Sequence, residues 1–306
     1  MIWEKKMKKK IIIKIVSMTL VLSMLVCLKG HAAQKICFEM KNPSNTQGMA
    51  LGKTSKQVYI LRTKESKNNP EEDGVSVRFY ENGKLKQEYY VWKPTYKLEK
   101  PEHPNGLSYY NSYIYMVAGD NRIFLLHLNE DGTIESRLTC VIKDNNNKIL
   151  KNKVYGIAHI ENGSFLVREK LEDGTKQYGV YKFNKQEKKA REDHVFKILD
   201  NANGYNTGQD IGIKIDDERK HDFVVTSNKI DKQCVKNRVL KYRLKQNESN
   251  KYVGAVYEKT IDLDRPSTDY SFYEVESVDF SSGGRMYFTG NEKINERDAD
   301  KVRYYY

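Results

Sequence analysis

Four acidic residues stand out, because two carboxyl groups that face each other can perform acid–base chemistry. They lie in short segments that mix polar and apolar residues: Asp210, Glu274, Glu276 and Asp279. A glycoside hydrolase needs one carboxyl group with a raised pKa as its acid and a second as nucleophile or base. Asp210 with Glu276, or Glu274 with Asp279, supplies such a pair if both face one cavity, so Asp210 and Glu276 are candidate catalytic residues. The alternative is that these groups hydrogen-bond to neighbouring strands or to water.

Further polar side chains occupy matching segments and are predicted to bind a ligand. With the acidic residues, the predicted ligand-binding set is His103, Asn105, Gln209, Asp210, Glu274 and Glu276, and Gln47 holds a matching position. Oxygen ligands of the kind that calcium prefers are present in Glu276, Asn105 and Asp210. Because their spacing does not fix a convergent geometry, we predict no resident metal or cofactor and leave calcium open. His103 beside Glu102 suits either a general base or a loop cap.

Common catalytic signatures are absent from the sequence: it has no Gly-x-Ser-x-Gly motif, no His-Glu-x-x-His motif and no phosphate-binding loop. Tyrosine is abundant, with 22 residues, and it suits both β-strands and stacking against sugars. Tyrosines within strands are expected to pack the core: Tyr59, Tyr113, Tyr115 and Tyr287. Aromatic residues in loops or at a strand end are predicted to form a binding rim: Tyr109, Tyr110, Tyr205, Tyr270 and Trp92.

An internal sequence repeat predicts the strands that position these residues. In each unit a small or polar residue followed by an apolar one begins a short strand, a turn follows, and a strand rich in Tyr, Phe, Ile and Val comes next. The equivalent positions, called here the repeat positions, are Gly48, Gly106, Gly156, Asp210 and Ser277, at steps of 58, 50, 54 and 67 residues. These intervals are the size of a propeller blade with loop insertions.

Two further strands follow in each of the first four units, with polar turns such as Asn82-Gly83 supplying the positive φ of tight hairpins. The third strands are predicted at 75–80, 122–128, 177–183 and 238–244, and the fourth at 86–92, 134–142, 194–199 and 253–263. The fifth unit has only a third strand, 301–306, so Lys35–Met40 is expected to add the outer strand that closes the ring. The predicted fold is an all-β, five-bladed β-propeller; a pair of β-sandwiches or an irregular six-bladed ring is the alternative.

The first residues predict an export signal. Five lysines between positions 5 and 10 precede an uncharged apolar run, Ile15–Leu28, which is short for a membrane span. We predict a signal peptide over residues 1–33, cleaved after Ala32 or Ala33, and a propeller domain over 34–306. A lipoprotein anchored through Cys27 and an uncleaved anchor are the alternatives. The mature protein is therefore expected to be secreted, without a transmembrane anchor.

Removal of this leader lowers the net charge. The chain has 53 Lys and Arg against 41 Asp and Glu, and residues 1–32 hold seven lysines and one glutamate, which leaves 46 against 40. A surplus of six scattered over this length predicts no nucleic-acid partner. Cys37, Cys140 and Cys234 are odd in number and far apart, which favours three buried free cysteines over one disulfide and a free thiol.

The turn and strand from His103 to Tyr115 resemble the repeat of small exported propellers from Gram-positive bacteria and their phages. Examples are the helveticin-type bacteriocins and the propeller shared by phage receptor-binding proteins and the teichoic-acid biosynthesis protein C family. This resemblance implies an extracellular role at cell-wall glycopolymers, and it transfers no residue-level site. We favour a secreted module that binds a cell-surface or cell-wall carbohydrate polymer over an enzyme. An extracellular glycoside hydrolase or lactonase-like enzyme that uses channel carboxylates is one alternative, and a bacteriocin-like protein is the other.

Overall fold

Strands form nearly all the regular structure in the computed structural model of this chain. The structure describes residues 34–40, 45–65, 69–144, 146–161, 163–198, 210–215, 221–231, 234–263 and 265–305. A compact unit extends from Gln34 to Tyr304. The helical structure in the described ranges is one 3-10 turn, Pro70–Glu72, and none of it has the length and hydropathy to cross a membrane. The predicted leader lies outside the described residues.

Two of the sheets contain four antiparallel strands each, in sequence order. The first sheet consists of β2 (Thr46–Leu51), β3 (Gln57–Lys64), β4 (Gly74–Glu81) and β5 (Lys84–Trp92). The other consists of β14 (Ile211–Ile215), β15 (His221–Asp231), β16 (Cys234–Gln246) and β17 (Tyr252–Leu263). In both sheets the strand that contains or directly follows the repeat position is at one edge.

An eight-stranded sheet is made of two such four-stranded units. One unit is β6 (Pro104–Tyr110), β7 (Tyr113–Ala118), β8 (Arg122–Leu128) and β9 (Ile134–Lys143). Its neighbour is β10 (Lys153–His159), β11 (Ser164–Lys170), β12 (Lys176–Asn184) and β13 (Lys189–Phe196). The units join through three parallel residue pairs between β9 and β13. This junction begins at Lys189, five residues before the predicted start of the strand.

The last sheet joins the two ends of the described chain. It contains β18 (Tyr270–Phe280), β19 (Met286–Ile294), the two-residue β20 (Arg297–Asp298), β21 (Lys301–Tyr305) and β1 (Lys35–Glu39). β1 pairs antiparallel with β21, and an ion pair of 2.8 Å joins Glu39 to Lys301. The prediction that the amino-terminal strand completes the last unit is confirmed.

The position of β1 bears on the prediction that the cysteines are buried. Cys37 and Cys140 are both free, but Cys140 is buried whereas Cys37 is exposed. The expectation of burial is therefore wrong for Cys37, because β1 is an edge strand with one side open to solvent. The side chain of Cys234 is not described.

Alternate residues of the second strands face opposite neighbours, which explains their continuous apolar runs. Tyr59 and Leu61 of β3 pack in one core cluster with Ile114 of β7, whereas Val58 and Ile60 pack in another with residues of the last sheet. The same alternation continues in β7 and β11, whose residues divide between successive clusters. These second strands are thus buried on both faces of their sheets.

The first strands of the units contact one another in a closed series. β2 contacts β6, β6 contacts β10, β10 contacts β14, β14 contacts β18, and β18 contacts β2. We call these five the inner strands. Register shifts fall next to the repeat position in four of them: at 46–48, 105–107, 154–156 and 275–277. The fold of the described residues is propeller-like and nearly all-β.

Candidate functional site

The repeat positions meet where the inner strands approach each other most closely. A Cβ atom added to Gly106 would lie 2.8 Å from Asp210 Oδ1 and 3.0 Å from Gly156 Cα, and one added to Gly48 would lie 3.1 Å from Gly106 N. Gly106 also has a φ of 66°. These contacts leave no space for side chains, so glycine is needed here for close backbone approach. We call this level of the inner strands the closed centre.

Asp210 fills the remaining space at the closed centre. It is 0% exposed, Oδ1 accepts a hydrogen bond from Ile211 N at 2.8 Å, and Oδ2 accepts one from Ser277 Oγ. Burial raises the pKa of this carboxyl group well above its ordinary value, with a smaller upward contribution from Asp279. Both oxygens are therefore committed to protein partners. These contacts give Asp210 a structural role at the closed centre, and its catalytic or ligand-binding role stays a prediction.

Polar side chains of the inner strands mainly hold neighbouring inner strands together. Ser277 Oγ accepts a hydrogen bond from Met49 N at 2.8 Å, and Ser108 Oγ accepts one from His159 N at 2.9 Å. Asn105 is 0% exposed, and its Oδ1 accepts the adjacent Gly106 N at 3.0 Å. These contacts satisfy backbone N–H groups that the close packing removes from water.

Residues that precede the repeat positions lie toward the start of the inner strands. Glu276 is buried and accepts a hydrogen bond from Asn291. The Gln47 side-chain amide donates a hydrogen bond to the Thr46 carbonyl at 3.3 Å. His103 is exposed at the start of β6, with a φ of 42° and an edge-on ring contact to Tyr155. Gln209 lies outside the described residues. Among the described members of the predicted ligand-binding set, Glu274 lines a cavity with Asn291, whereas Asn105 and Asp210 are 0% exposed.

The two predicted carboxylate pairs have different surroundings. Asp210 and Glu276 are both buried, and the charge of Asp210 adds to the raised pKa of Glu276. Glu274 and Asp279 lie toward opposite ends of β18 and line different cavities. Among the residues with oxygen ligands suited to calcium, Asn105 and Asp210 accept hydrogen bonds from backbone N–H groups. The described part of the chain contains no group of three or more His, Cys, Asp or Glu side chains suited to a metal ion.

A cavity opens where all five inner strands end. It has a volume of about 290 Å³, close to the lower limit for small-molecule sites, and we call it the basal cavity. The third residue after each repeat position lines it, contributed once by every inner strand or its end: Leu51, Tyr109, His159, Ile213 and Phe280. Polar residues complete its wall: Lys53, Thr54, Ser55, Ser108, Lys214, Asp279, Ser281 and Ser282. Hydroxyl groups, two cations and aromatic rings therefore share one small space.

Asp279 is the acidic residue of this wall. Its Oδ2 accepts a hydrogen bond from Leu51 N at 2.8 Å, and its Oδ1 accepts one from Phe280 N at 2.8 Å. Burial raises the pKa of Asp279 to about 7, against the lowering effect of these two backbone bonds. The carboxyl group is therefore fixed in position and changes protonation near neutral pH, where a group can serve as an acid or as a base.

His159 lies across the wall from a different strand. Its ring stacks on Tyr110, with centroids 3.8 Å apart and planes at 14°, and contacts the edge of Phe165. Burial lowers the pKa of His159 to about 4, so the imidazole is neutral at pH 7. Nε2 is enclosed and has no hydrogen-bond partner among the described residues.

Lys214 is placed by a glycine turn. A Cβ atom added to Gly284 would lie 2.6 Å from Lys214 Cε, and Gly284 has a φ of 73°. The turn Ser281–Gly284 is closed by a backbone hydrogen bond of 2.8 Å. The aliphatic part of Lys214 thus packs across this turn on the wall of the basal cavity.

The aromatic residues predicted to form a rim are divided by the structure. Tyr109 lines the basal cavity, and the ring of Tyr110 stacks on the ring of His159. Tyr270 is 5% exposed, because its hydroxyl accepts a hydrogen bond from buried Arg303, so its assignment to an exposed rim is wrong. Trp92 donates to the Leu98 carbonyl on another part of the surface, and Tyr205 lies outside the described residues.

No protein-family model matches this chain, and no curated protein matches it. Solved structures do. The chain is similar to an exo-β-1,3-galactanase from Phanerochaete chrysosporium solved with β-1,3-galactotriose, at 9% identity and a TM-score of 0.50, over 88% of this chain and 64% of that one. It is also similar to Myxococcus xanthus glutaminyl cyclase, at 10% identity and a TM-score of 0.45, over 89% of this chain and 96% of that one.

These similarities concern the fold alone. The structural neighbours are enzymes with propeller-like folds, and the chain spans less than two thirds of the galactanase. The resemblance to Gram-positive bacteriocin-type propellers has no support from a sequence family. The site must therefore be interpreted from its own residues.

Proposed function

We propose that the protein is an exported five-bladed β-propeller that binds a carbohydrate in the basal cavity. The closed series of inner strands supports the number of blades. Each half of the eight-stranded sheet is a complete antiparallel unit, and only three residue pairs join the halves. The pattern of lysines and apolar residues at the amino terminus supports export.

The observation that carries the proposal is the convergence of one wall residue from every inner strand on the basal cavity. Ligand sites in proteins combine an apolar wall with a few fixed polar groups. Here the apolar part includes Tyr109 and Phe280, and the polar part includes Asp279 and His159. Sugars present hydroxyl groups beside apolar C–H faces, and this wall offers partners for both.

The titration of Asp279 suits a hydroxyl ligand. Protonated Asp279 donates a hydrogen bond, whereas its ionised form only accepts, and a sugar hydroxyl can pair with either form. Neutral His159 adds an uncharged imidazole ring to the same wall. The two lysines favour ligands that also carry a negative charge. We therefore favour a cell-surface or cell-wall carbohydrate polymer, of which the cavity would hold a terminal unit.

The test is saturation-transfer NMR with the mature chain, residues 34–306, and fragments of purified cell-wall polymers. We expect binding that weakens about tenfold in Asp279→Ala, because a buried hydrogen-bonding partner is lost. Glu296→Gln, in the turn that follows β19 and contacts Ser271 near the start of β18, is the matched control and should bind as wild type does. Absence of transfer to every polymer fragment, or equal binding by Asp279→Ala, would overturn the proposal.

An enzyme that acts on carbohydrate is the second candidate, and one observation favours it. The pKa of about 7 for Asp279 lies in the range for general acid–base catalysis, and the galactanase has a similar fold. Asp279 is the carboxylate that the described cavity wall supplies, so a two-carboxylate mechanism would need a second group. Release of reducing sugar that disappears in Asp279→Asn, together with a pH profile that follows one group near pH 7, would favour this candidate.

A further inference from the structure

A row of lysines crosses the unit formed by β10–β13, at the end away from the basal cavity. Lys170, the last residue of β11, lies directly opposite Lys153 of β10 on one side and Lys176 of β12 on the other. The other end of β11 is the one at the basal cavity, where Phe165 pairs with His159. Side chains that are directly opposite share a face of the sheet, and like charges in such pairs are destabilising. This end of the sheet therefore gains stability from any negative charge that is brought to it.

A buried cation lies on the same face. Arg168 is two residues before Lys170 in β11, so the two side chains leave the strand on one side. Arg168 is 4% exposed, and it forms a side-chain hydrogen bond with Tyr178, its cross-strand partner in β12. The guanidinium group is therefore held in place beside the lysines. We call Arg168, Lys170 and Lys176 the basic cluster.

The lysines of the basic cluster have no acidic partner among the described residues. Lys153 forms an ion pair with Glu102 at 3.1 Å, whereas Lys170 and Lys176 form none with any residue that the structure describes. Burial lowers the pKa of Lys176 to about 8, and the positive charges of Arg168 and Lys170 lower it further. The charged groups of the described chain that influence the pKa of Lys176 are thus both cations.

Acidic residues close in sequence are engaged elsewhere. Glu169 leaves β11 on the opposite face, where it accepts hydrogen bonds from Tyr181 and from Gln177, the latter at 2.8 Å. Asp173, in the turn between β11 and β12, accepts a hydrogen bond from Thr175 N at 2.8 Å. The positive charge of the basic cluster is therefore not offset by these two carboxylates.

We propose that the basic cluster binds a doubly charged oxyanion, namely a phosphate group carried by a larger molecule. Lysine ammonium groups bind phosphate as point charges, each with three N–H donors, and two negative charges match Lys170 and Lys176. Lys170 is exposed and Lys176 is half-buried, so the site is open to solvent. An open site suits a group that protrudes from a larger molecule better than it suits an enclosed free ion. The basic cluster is independent of the proposed carbohydrate site.

The test is a phosphorus NMR titration of methyl phosphate with the mature chain, residues 34–306, in chloride buffer of constant ionic strength. We expect Lys176→Met to weaken binding about fivefold, because a half-buried ion pair with the phosphate group is lost. Lys182→Met is the matched control. It makes the same change on the same face of β12, at the end where Asp193 lies nearby, and it should bind methyl phosphate as wild type does.

Several outcomes would overturn the assignment. They are no binding of methyl phosphate, equal binding by wild type and Lys176→Met, or equal weakening in the two lysine variants. Inorganic phosphate tests the source of the group: if it binds far more tightly than methyl phosphate, the site takes a free ion and the assignment to a larger molecule is wrong.

Thermal unfolding in phosphate-free buffer verifies that Lys176→Met is folded. We expect this variant to melt at or above the wild-type temperature, because the substitution removes one of several neighbouring positive charges. If Lys176→Met does not fold, Lys170→Met provides the same comparison.

Discussion

The closed centre and the basal cavity are built by the same five inner strands, only three residues apart, yet they differ in almost every property. At the closed centre, glycine backbones touch and Asp210 has protein partners on both oxygens. In the basal cavity, the strands have separated enough to leave about 290 Å³, and His159 keeps an enclosed nitrogen without a partner. Burial of a polar residue on the inner strands therefore does not by itself identify a candidate functional group; a position on the wall of an open cavity is also needed.

The contrast between the closed centre and the basal cavity would be contradicted most clearly if the closed centre tolerated an added side chain. Gly106→Ala would place a Cβ atom 2.8 Å from Asp210 Oδ1 at a φ of 66°, so we expect a loss of about 2–4 kcal/mol in the free energy of unfolding. Urea denaturation measures it. Gly283→Ala is the control, because its nearest neighbouring atom would lie 4.0 Å away, and it should change stability by less than about 0.5 kcal/mol. Equal effects of the two substitutions would contradict the close packing.

Asp210 provides the next largest expected effect. Asp210→Ala leaves Ile211 N and Ser277 Oγ without their buried acceptor, and we expect a loss of about 2–3 kcal/mol in unfolding free energy. Asp210→Asn keeps the shape and one oxygen, and the raised pKa of Asp210 means that a neutral side chain suits this position. We therefore expect Asp210→Asn to cost less than about 1 kcal/mol by urea denaturation. A functional role for Asp210 would be indicated if the stably folded Asn variant lost ligand binding.

The smallest expected effect concerns the pH dependence contributed by Asp279. Its pKa is raised to about 7 in the folded protein, so the folded state binds this proton more tightly than the unfolded state does. The stabilisation is fully present below about pH 4 and is lost as the pH rises through 7. Relative to Asp279→Asn, wild type should lose about 1–2 kcal/mol between pH 4 and 8, a value reduced for solvent at the cavity mouth.

Unfolding by urea at a series of pH values measures this difference. Asp300, whose pKa burial raises to about 6, is present in both proteins, so its contribution cancels in the comparison. Stability curves that run parallel for wild type and Asp279→Asn would show that Asp279 titrates at its ordinary value. The cavity would then lack a group that changes protonation near neutral pH.

Much of the fold could be predicted from the sequence, because the repeat positions recur with the same flanking pattern. The third strand of the second unit, 122–128, has the predicted limits, and β1 pairs with β21 as expected. Turn residues also act locally: Asn82 and Gly83 adopt φ values of 51° and 74°, as a two-residue hairpin requires. Strand limits, strand pairing and turn conformation of this kind depend on neighbouring residues or on the regular repeat, and both can be recognised in the sequence alone.

The candidate site was harder to predict, because it depends on which level of the inner strands is open. The sequence prediction favoured Asp210 for its carboxylate, whereas close approach of three glycines buries it. His159 and Lys214 were missed, since neither has a catalytic motif around it. A signal was nevertheless available: His159 is the third residue after its repeat position, in register with Tyr109 and Phe280. Comparison of the units position by position would have grouped these three residues.

The pairing of β1 with β21 has a consequence for the order of folding. Glu39 and Lys301, which join the two strands, are separated by 262 positions in the chain, so this contact has one of the largest loop-closure costs available to the protein. During synthesis, β1 is made before β2–β20 and has no partner until β21 has been made. Closure of the last sheet therefore shows that synthesis has passed β21, and a chain that stops before β21 leaves β1 without a partner strand.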